Sequence, residues 1–376
     1  MRGMSTPAAR DASALVEAAL AAGLGSAAAL SIGDGGVERV RQVWGTTRRV
    51  PDLGPAIAAD TPFDLASLTK PMATVAIAMA LVGEGRLALD APVRRWLPAA
   101  TTGTVAALLG HAAGTAAHLE LYRDPSVVGA VDPRAEVIAR ATAHPAGPPG
   151  EASVYSDLGF LMLGAIVERC ADARLDEAFA TWVADPLGLT GAGYPGRTPW
   201  PAAVATELDD TSGVAPAGSS GPARGRGLVC GVVHDENAYV AGGVCGHAGL
   251  FAPIGDVGRF AAAITACAGG APRGRWRPEL VRRFLDTAPA PGVSWRLGWD
   301  TPSTAPGVSH AGDRWPRVGG WGHTGFTGTS MWIDVPRQRW VVLLTNRVHP
   351  TRQGTADAIK ALRRAVGDAV ATLGDH

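Results

Sequence analysis

The chain has 376 residues, with 34 basic and 34 acidic side chains and a formal net charge of zero. That length points to one large domain or two intertwined ones. An apolar fraction of 47% excludes a disordered chain, and the lack of any basic block or stripe argues against nucleic acid as a partner.

Residues 11–23 are alanine-rich, with Leu15, Val16 and Leu20 at helical spacing, so a first helix is expected there. Asp11 and Glu17 interrupt this stretch, which leaves no clean signal-peptide core. No apolar run in the sequence reaches the length of a membrane span. The expected compartment is the cytoplasm, or the periplasm or exterior if translation starts elsewhere. Ser26–Ile32 reads as a strand, Gly33–Gly36 as a turn and Val37–Gly45 as a second strand, together a hairpin. Pro51–Pro62 is a loop leading to Ser67.

Phe63-Asp64-Leu65-Ala66-Ser67-Leu68-Thr69-Lys70 then precedes a long apolar run. In a helix starting near Ser67, positions i and i+3 share a face, so the Lys70 amine lies beside the Ser67 hydroxyl. A serine becomes a nucleophile when a base takes its proton. A lysine can be that base once burial and neighbouring cations lower its pKa. The chain has only two lysines, Lys70 and Lys360, among many arginines. Arginine stays protonated and cannot substitute. An ordinary helix start is the competing reading of this stretch.

Further helices are expected at 104–109, capped by Thr101, Thr102 or Thr104, at 133–143, at 158–170 and at 175–187. Residues 195–226 are rich in Gly, Pro, Ser and Ala and read as a long loop, mobile or packed over a site. A helix is expected at 254–268. Thr329–Ile333, a turn at 334–339 and Trp340–Thr345 read as a second hairpin, followed by a last helix at 354–372. Strands at both ends with helices between give an α/β (α+β) fold. Its antiparallel sheet is flanked by helices and interrupted by an all-helical insertion. The expected division is 1–70 with 235–376 for the sheet part and 71–234 for the helical part.

Cys170, Cys230, Cys245 and Cys267 show no C-x-x-C spacing. A Cys230–Cys245 bridge is one reading, and buried free thiols the preferred one. His234, Asp235, Glu236 and His247 fit no compact ligand motif, so a loop-ordering hydrogen-bond cluster is expected and metal is not. His111 and His118 read as structural. Arg347, closing a strand, is a candidate for a substrate carboxylate. In Tyr155-Ser156-Asp157, at a loop-to-helix boundary, the tyrosine hydroxyl can join a lysine's proton network. The plainer reading has Asp157 as the cap of the next helix. Gly319–Ser330 surrounds His323-Thr324-Gly325 with glycines at the expected start of a strand, which lets a substrate approach the backbone and lets N–H groups hold an oxyanion. A glycine-rich bulge with an incidental histidine is the competing reading.

In order, Ser67-x-x-Lys70, Tyr155-Ser156-Asp157 and His323-Thr324-Gly325 resemble the three motifs of the serine β-lactamase and penicillin-binding-protein superfamily. The likeness is greatest to its class C β-lactamase-like branch of esterases, D-aminopeptidases and DD-carboxypeptidases. Thr104–His111, Pro186–Leu189 and Gly246–Phe251 extend the resemblance over about residues 25–365. Two positions depart from it. Asp157 replaces the usual Asn, which is expected to raise the Lys70 pKa. His323 replaces the usual Lys, which removes a cation for a substrate carboxylate and favours a neutral ester, amide or peptide. Reading Ser156-Asp157-Leu158 as S-D-N would put leucine where a polar group is needed.

The resemblance implies an acyl-enzyme serine hydrolase with no cofactor and no metal, acting on a small molecule or short peptide. In it Ser67 is the nucleophile, and Lys70 with Tyr155 carries protons. The N–H groups of Ser67 and Phe326 form the oxyanion hole, and Asp157, His323, Thr324 and Gly325 contact substrate. DD-carboxypeptidase or β-lactamase activity is the rival within catalysis, and a non-catalytic ligand-binding protein the rival outside it.

Overall fold

Both ends of the chain build one sheet, as their alternating patterns require. The computed structural model describes residues 7–101, 103–196, 198–214, 225–290 and 293–373. Strands β1 (Ala27–Asp34) and β2 (Val37–Gly45) form the first hairpin. Gly35 takes the left-handed backbone conformation (φ +56°) at its turn, where glycine carries no steric cost. Strands β3 (Gly320–Thr324), β4 (Ser330–Asp334) and β5 (Arg339–Thr345) form the C-terminal meander. The order is β2-β1-β5-β4-β3, antiparallel throughout. His323 and Thr324 therefore lie at the end of an edge strand, and not at the start of one.

Period-two alternation gives this sheet two buried faces. Ala28, Leu30, Ile32, Val341 and Leu343 face α1 (Pro7–Ala21) and the C-terminal helix, which pack together across them. Ala27, Ala29, Val342 and Leu344 face the other way, into the main core. There they meet the helix Ile254–Ala268. That core continues without a break to Ile77, Met79 and Leu81 and to Phe160, Leu163 and Ile166 of α2 (Asp157–Ala171). Burial of each such side chain stabilises by about 2 kcal/mol. With α2 so defined, the helix Ile254–Ala268 is α3, and the C-terminal helix, Ala356–Ala371, is α4.

The stretch after Ser67 is helical as expected, but not uniformly α. It runs as a 3₁₀ turn (Ala66–Leu68), a π-helical segment (Lys70–Val75) and an α-helix (Ala76–Gly83). By length and composition Ala66–Gly83 would suffice to cross a bilayer, but it is the central helix of this core. The helices 105–109 and 133–143 stand at their expected places, with Thr104 capping the first through Ala107 N–H. Thr102 lies outside the described residues. The segment 195–226 is not all loop: Ala205–Asp209 pairs with Gly227–Cys230, and residues 215–224 lie outside the described residues. A helix at Pro278–Asp286 adds to the expected set. All four cysteines are free, so Cys230 and Cys245 are not bridged.

Candidate active site

The site opens where the Ser67 turn meets the end of β3. Ala66 adopts φ +47°, a left-handed conformation that costs an alanine about 1–2 kcal/mol. Asp64 helps hold this turn: its carboxylate accepts from Ala66 N–H at 2.8 Å and from His234 N–H at 2.6 Å. Burial pushes the Asp64 carboxyl up to about 6. The turn presents Ser67, half-buried, to a cleft of about 620 Å³.

Lys70 is fully buried. Its ammonium donates to Ser67 Oγ at 2.9 Å, to Asp157 Oδ1 at 2.7 Å and to the His247 carbonyl at 3.2 Å. That third contact depends on close backbone approach. Gly246 sits against the Phe160 carbonyl and Gly164, where a Cβ would clash, and its own carbonyl accepts from Thr74 Oγ1 at 2.7 Å. Burial alone would lower the Lys70 pKa, but the Asp157 charge and Tyr155 outweigh it and the net shift is upward. Asp157 is also desolvated, yet Lys70 and His118 hold its carboxyl well below the usual range. The resting site is thus an ammonium–carboxylate pair.

Asp157 is free to make this pair because Ser156 caps α2. Ser156 Oγ accepts from Gly159 N–H at 3.0 Å, and Asp157 is the first helical residue. The expectation that Asp157 is the cap is corrected accordingly. Tyr155 lies half-buried between Lys70 and the cleft, its ring centroid 4.8 Å from the ammonium. Its hydroxyl interacts with both Lys70 and Ser67, while desolvation raises its pKa and keeps it neutral.

His111 fixes the Tyr155 segment from both sides, a role that sequence reasoning reduced to "structural". Its carbonyl accepts from Val154 N–H at 2.9 Å, and its Nδ1 accepts from Ser156 N–H at 3.0 Å. Its ring lies 4.6 Å from that of Tyr155. His111 also has φ +57°. Asn tolerates that conformation and carries an acceptor near the Nδ1 position. His111→Asn is therefore expected to keep ester turnover within about threefold of wild type, whereas His111→Gly, with the backbone freedom but no acceptor, loses about tenfold in kcat. Equal kcat values for the two folded variants would rule out the acceptor's role.

On the opposite wall, residues 325–329 are stapled to the Ser67 turn. Thr327 Oγ1 donates to the Asp64 carbonyl at 2.8 Å and Thr329 Oγ1 to the Leu65 carbonyl at 2.9 Å. A Cβ on Gly325 would meet Thr329 and the Leu65 carbonyl, so only glycine fits. This brings the Ser67 and Phe326 backbones to one side of the cleft. Among the described residues neither N–H donates to a protein acceptor. His323 Nδ1 donates to the Thr324 carbonyl at 2.8 Å, which leaves Nε2 as the unprotonated, unpartnered nitrogen. Burial and the Lys70 charge push His323 down to about 3, so it is neutral at physiological pH. Thr324 and Gly325 line the cleft beside it.

His118, also read as structural, stands 3.6 Å from Asp157 Oδ2, and the Trp295 ring lies tilted against that of Tyr155 with centroids 5.3 Å apart. Neither carries a sequence signal beyond its residue type. Losing the motif lysine does not empty the cleft of cations, because Arg347, Arg352, Lys360 and Arg363 line it. Arg347 donates through Nε to the Phe326 carbonyl at 2.8 Å. The His234–Asn237 segment is a hydrogen-bond cluster, as expected. Asp235 caps the following helix through Ala238 N–H at 2.7 Å and pairs with His247 Nε2 at 2.9 Å, and Glu236 pairs with Arg352.

Comparison with known proteins agrees with this geometry. The beta-lactamase family profile matches residues 12–365. A protein of Escherichia coli (strain K12) named "Putative D-alanyl-D-alanine carboxypeptidase" is 29% identical over 340 residues, which cover 82% of this chain and 75% of that one. Among solved structures, "EstCE1, a hydrolase with promiscuous acyltransferase activity" superposes with a TM-score of 0.71 at 21% identity, covering 97% of this chain and 98% of that one. Unliganded "Simvastatin Synthase (LovD)" from Aspergillus terreus gives 0.72 at 18% identity, with 99% and 100% coverage. At these identities the two structures bear on the fold alone. The profile match over nearly the whole length carries the assignment: the chain belongs to the beta-lactamase family of serine hydrolases.

Proposed function

We propose that the protein hydrolyses a small ester, amide or D-amino-acid peptide through an acyl-enzyme on Ser67. The observation that carries this reading is Ser67 Oγ at 2.9 Å from a fully buried Lys70 that is itself 2.7 Å from Asp157, with Ser67 open to the cleft. Because Lys70 rests protonated, it takes the Ser67 proton only as it passes one of its own to Asp157 Oδ1. The net result is a protonated carboxyl and a serine oxygen bonded to the substrate carbonyl carbon. Tyr155 donates its hydroxyl proton to the leaving group and is reprotonated from the Lys70–Asp157 pair. The Ser67 and Phe326 N–H groups stabilise the oxyanion. His323, Thr324 and Gly325 form the substrate edge, and Asp157 positions Lys70. Water then hydrolyses the ester and regenerates Ser67.

A carboxypeptidase-type substrate is favoured by the name of the Escherichia coli relative and by Arg347, Arg352 and Lys360 along the cleft. A panel of p-nitrophenyl esters, D-alanyl-D-alanine peptides and nitrocefin tests the assignment in wild type and Ser67→Ala. Turnover of at least one substrate is expected only in wild type. Full activity in Ser67→Ala would refute the assignment.

The same proton route predicts a pH dependence. The Asp157 carboxylate, 3.6 Å away, raises the His118 pKa above its ordinary 6.5. A protonated His118 stabilises the Asp157 anion and weakens it as a proton acceptor. Acylation should therefore rise with pH as His118 loses its proton, in a limb above pH 6.5. In His118→Gln that limb should vanish from the kcat/KM profile for a p-nitrophenyl ester. An unchanged profile would remove Asp157 from the route or His118 from its control.

A further inference from the structure

Arg363 is a buried charge that the reaction above does not use. It projects from α4, is only 7% exposed, and has no carboxylate partner among the described residues. Its Nη2 donates to the Gly325 carbonyl at 2.7 Å and to the Thr329 carbonyl at 2.8 Å. Its Nε is buried without a partner. Burial and, after it, the like charge of Arg347 push the guanidinium down to about 9, so it remains a cation at neutral pH. Bracing a turn through two carbonyls does not require a charge. A buried, unpaired cation is costly and calls for a use.

The bond to Gly325 supplies one. The Gly325 carbonyl and the Phe326 N–H belong to a single peptide unit. A cation hydrogen-bonded to the oxygen draws electron density through the amide and makes the N–H a stronger donor. Gly325 is pressed against Leu65 and Ala66, beside the Ser67 turn, and the Phe326 N–H has no protein acceptor among the described residues. The guanidinium sits at the oxygen end of this peptide, at the cleft wall, with no carboxylate partner among the described residues. Arg347, by contrast, donates to the Phe326 carbonyl, which belongs to the next peptide.

We propose that Arg363 is a positioning residue that orients and polarises the Gly325–Phe326 peptide, so that the Phe326 N–H binds the developing oxyanion more strongly. This rests on the reading of Ser67 and Phe326 as the oxyanion hole. Its effect is confined to states with negative charge on the former carbonyl oxygen, so it should appear in acylation and in the binding of tetrahedral anions, and not in substrate affinity.

The test uses the full-length protein as wild type, Arg363→Gln and Arg363→Lys. Three quantities are read: single-turnover acylation by a p-nitrophenyl ester, affinity for phenylboronic acid (which forms a tetrahedral anion on a serine oxygen), and the carbonyl stretch of the acyl-enzyme in the infrared. Arg363→Gln is expected to lose about tenfold in acylation and about tenfold in boronate affinity with the ester dissociation constant unchanged, and Arg363→Lys to recover most of both. The acyl carbonyl band should move to higher frequency in Arg363→Gln, a change that a mere turn brace does not produce. Equal boronate affinity and an unmoved band in Arg363→Gln would overturn the inference, as would a parallel loss of ester binding. If Arg363→Gln does not fold, Arg363→Lys decides: a near-wild-type band supports the inference, and a band displaced to the free-ester position overturns it. A wild type that takes no boronate on Ser67 would instead overturn the oxyanion-hole reading, and this inference with it.

Discussion

Asp157→Leu is expected to lower the unfolding free energy by about 3–5 kcal/mol, because it leaves a buried ammonium without its counter-charge. Lys70 is fully buried and Asp157 is its only carboxylate partner among the described residues. The pH dependence of that loss identifies its cause. In wild type the Lys70 pKa is raised above its ordinary 10.5, so its contribution is present below that pH and is lost only as pH rises through the folded value. Asp157, held below its ordinary 3.8, contributes above that pH and loses its contribution on acidification. The pair is therefore intact across the neutral range. In Asp157→Leu the sign reverses for Lys70. Desolvation alone depresses its pKa, the unfolded chain binds more protons, and stability recovers as pH rises from neutrality towards 10. Urea unfolding of both proteins at pH 7 and pH 9.5 measures this. A pH-independent difference would mean lost packing and not a stranded charge.

Lys70→Met should have the complementary profile. Ester turnover is expected to fall by about 10²–10⁴-fold, since the proton acceptor at Ser67 is gone. Stability should change by only about 1–2 kcal/mol, because an apolar chain of similar length replaces the ion in an apolar core. The Asp157 side chain, 20% exposed and close to His118, can find solvent or a proton when Lys70 is absent. Thermal unfolding with kcat on a p-nitrophenyl ester separates the two effects. A variant that is severely destabilised would show Lys70 to be a structural element first.

The parts of the fold that repeat a period were readable in the sequence. The hairpins Ala27–Gly45 and Ser330–Thr345 alternate and carry glycine or proline turns, and α2 and α3 are bounded by clear breaks. Ala66–Gly83 was readable as a helix but not as one that changes pitch, because nothing in the local sequence marks the π segment at Lys70–Val75, within which Thr74 makes a tertiary bond to the Gly246 carbonyl. The short pairing of Ala205–Asp209 with Gly227–Cys230 was hidden by a composition that reads as loop.

In the site, the spacing of Ser67 and Lys70 put the two on one helix face but left an ordinary helix start as an equal reading. The structure brings them to 2.9 Å across a 3₁₀ turn and the start of the π segment. Placing Tyr155 and His323 beside them required long-range packing, which local periodicity does not encode and which the motif order supplied through resemblance. His118, Trp295 and Arg363 reach the site from separate elements, without motif or spacing to mark them. Thr327 and Thr329 carried a faint signal, alternating hydroxyls among the glycines after His323, and they staple that turn to the Ser67 turn. Ser156 and Asp157 show how adjacent residues divide two roles: either could cap α2, and the geometry that gives the cap to Ser156 leaves Asp157 for Lys70.

The central claim is that Ser67 carries the acyl group. Intact-mass measurement after incubation with a fluorophosphonate, followed by peptide mapping, addresses it directly. One adduct per chain on the peptide containing Ser67 is expected in wild type, and none in Ser67→Ala. A wild type that stays unmodified by both a fluorophosphonate and a penicillin, or an adduct that persists in Ser67→Ala, would contradict it.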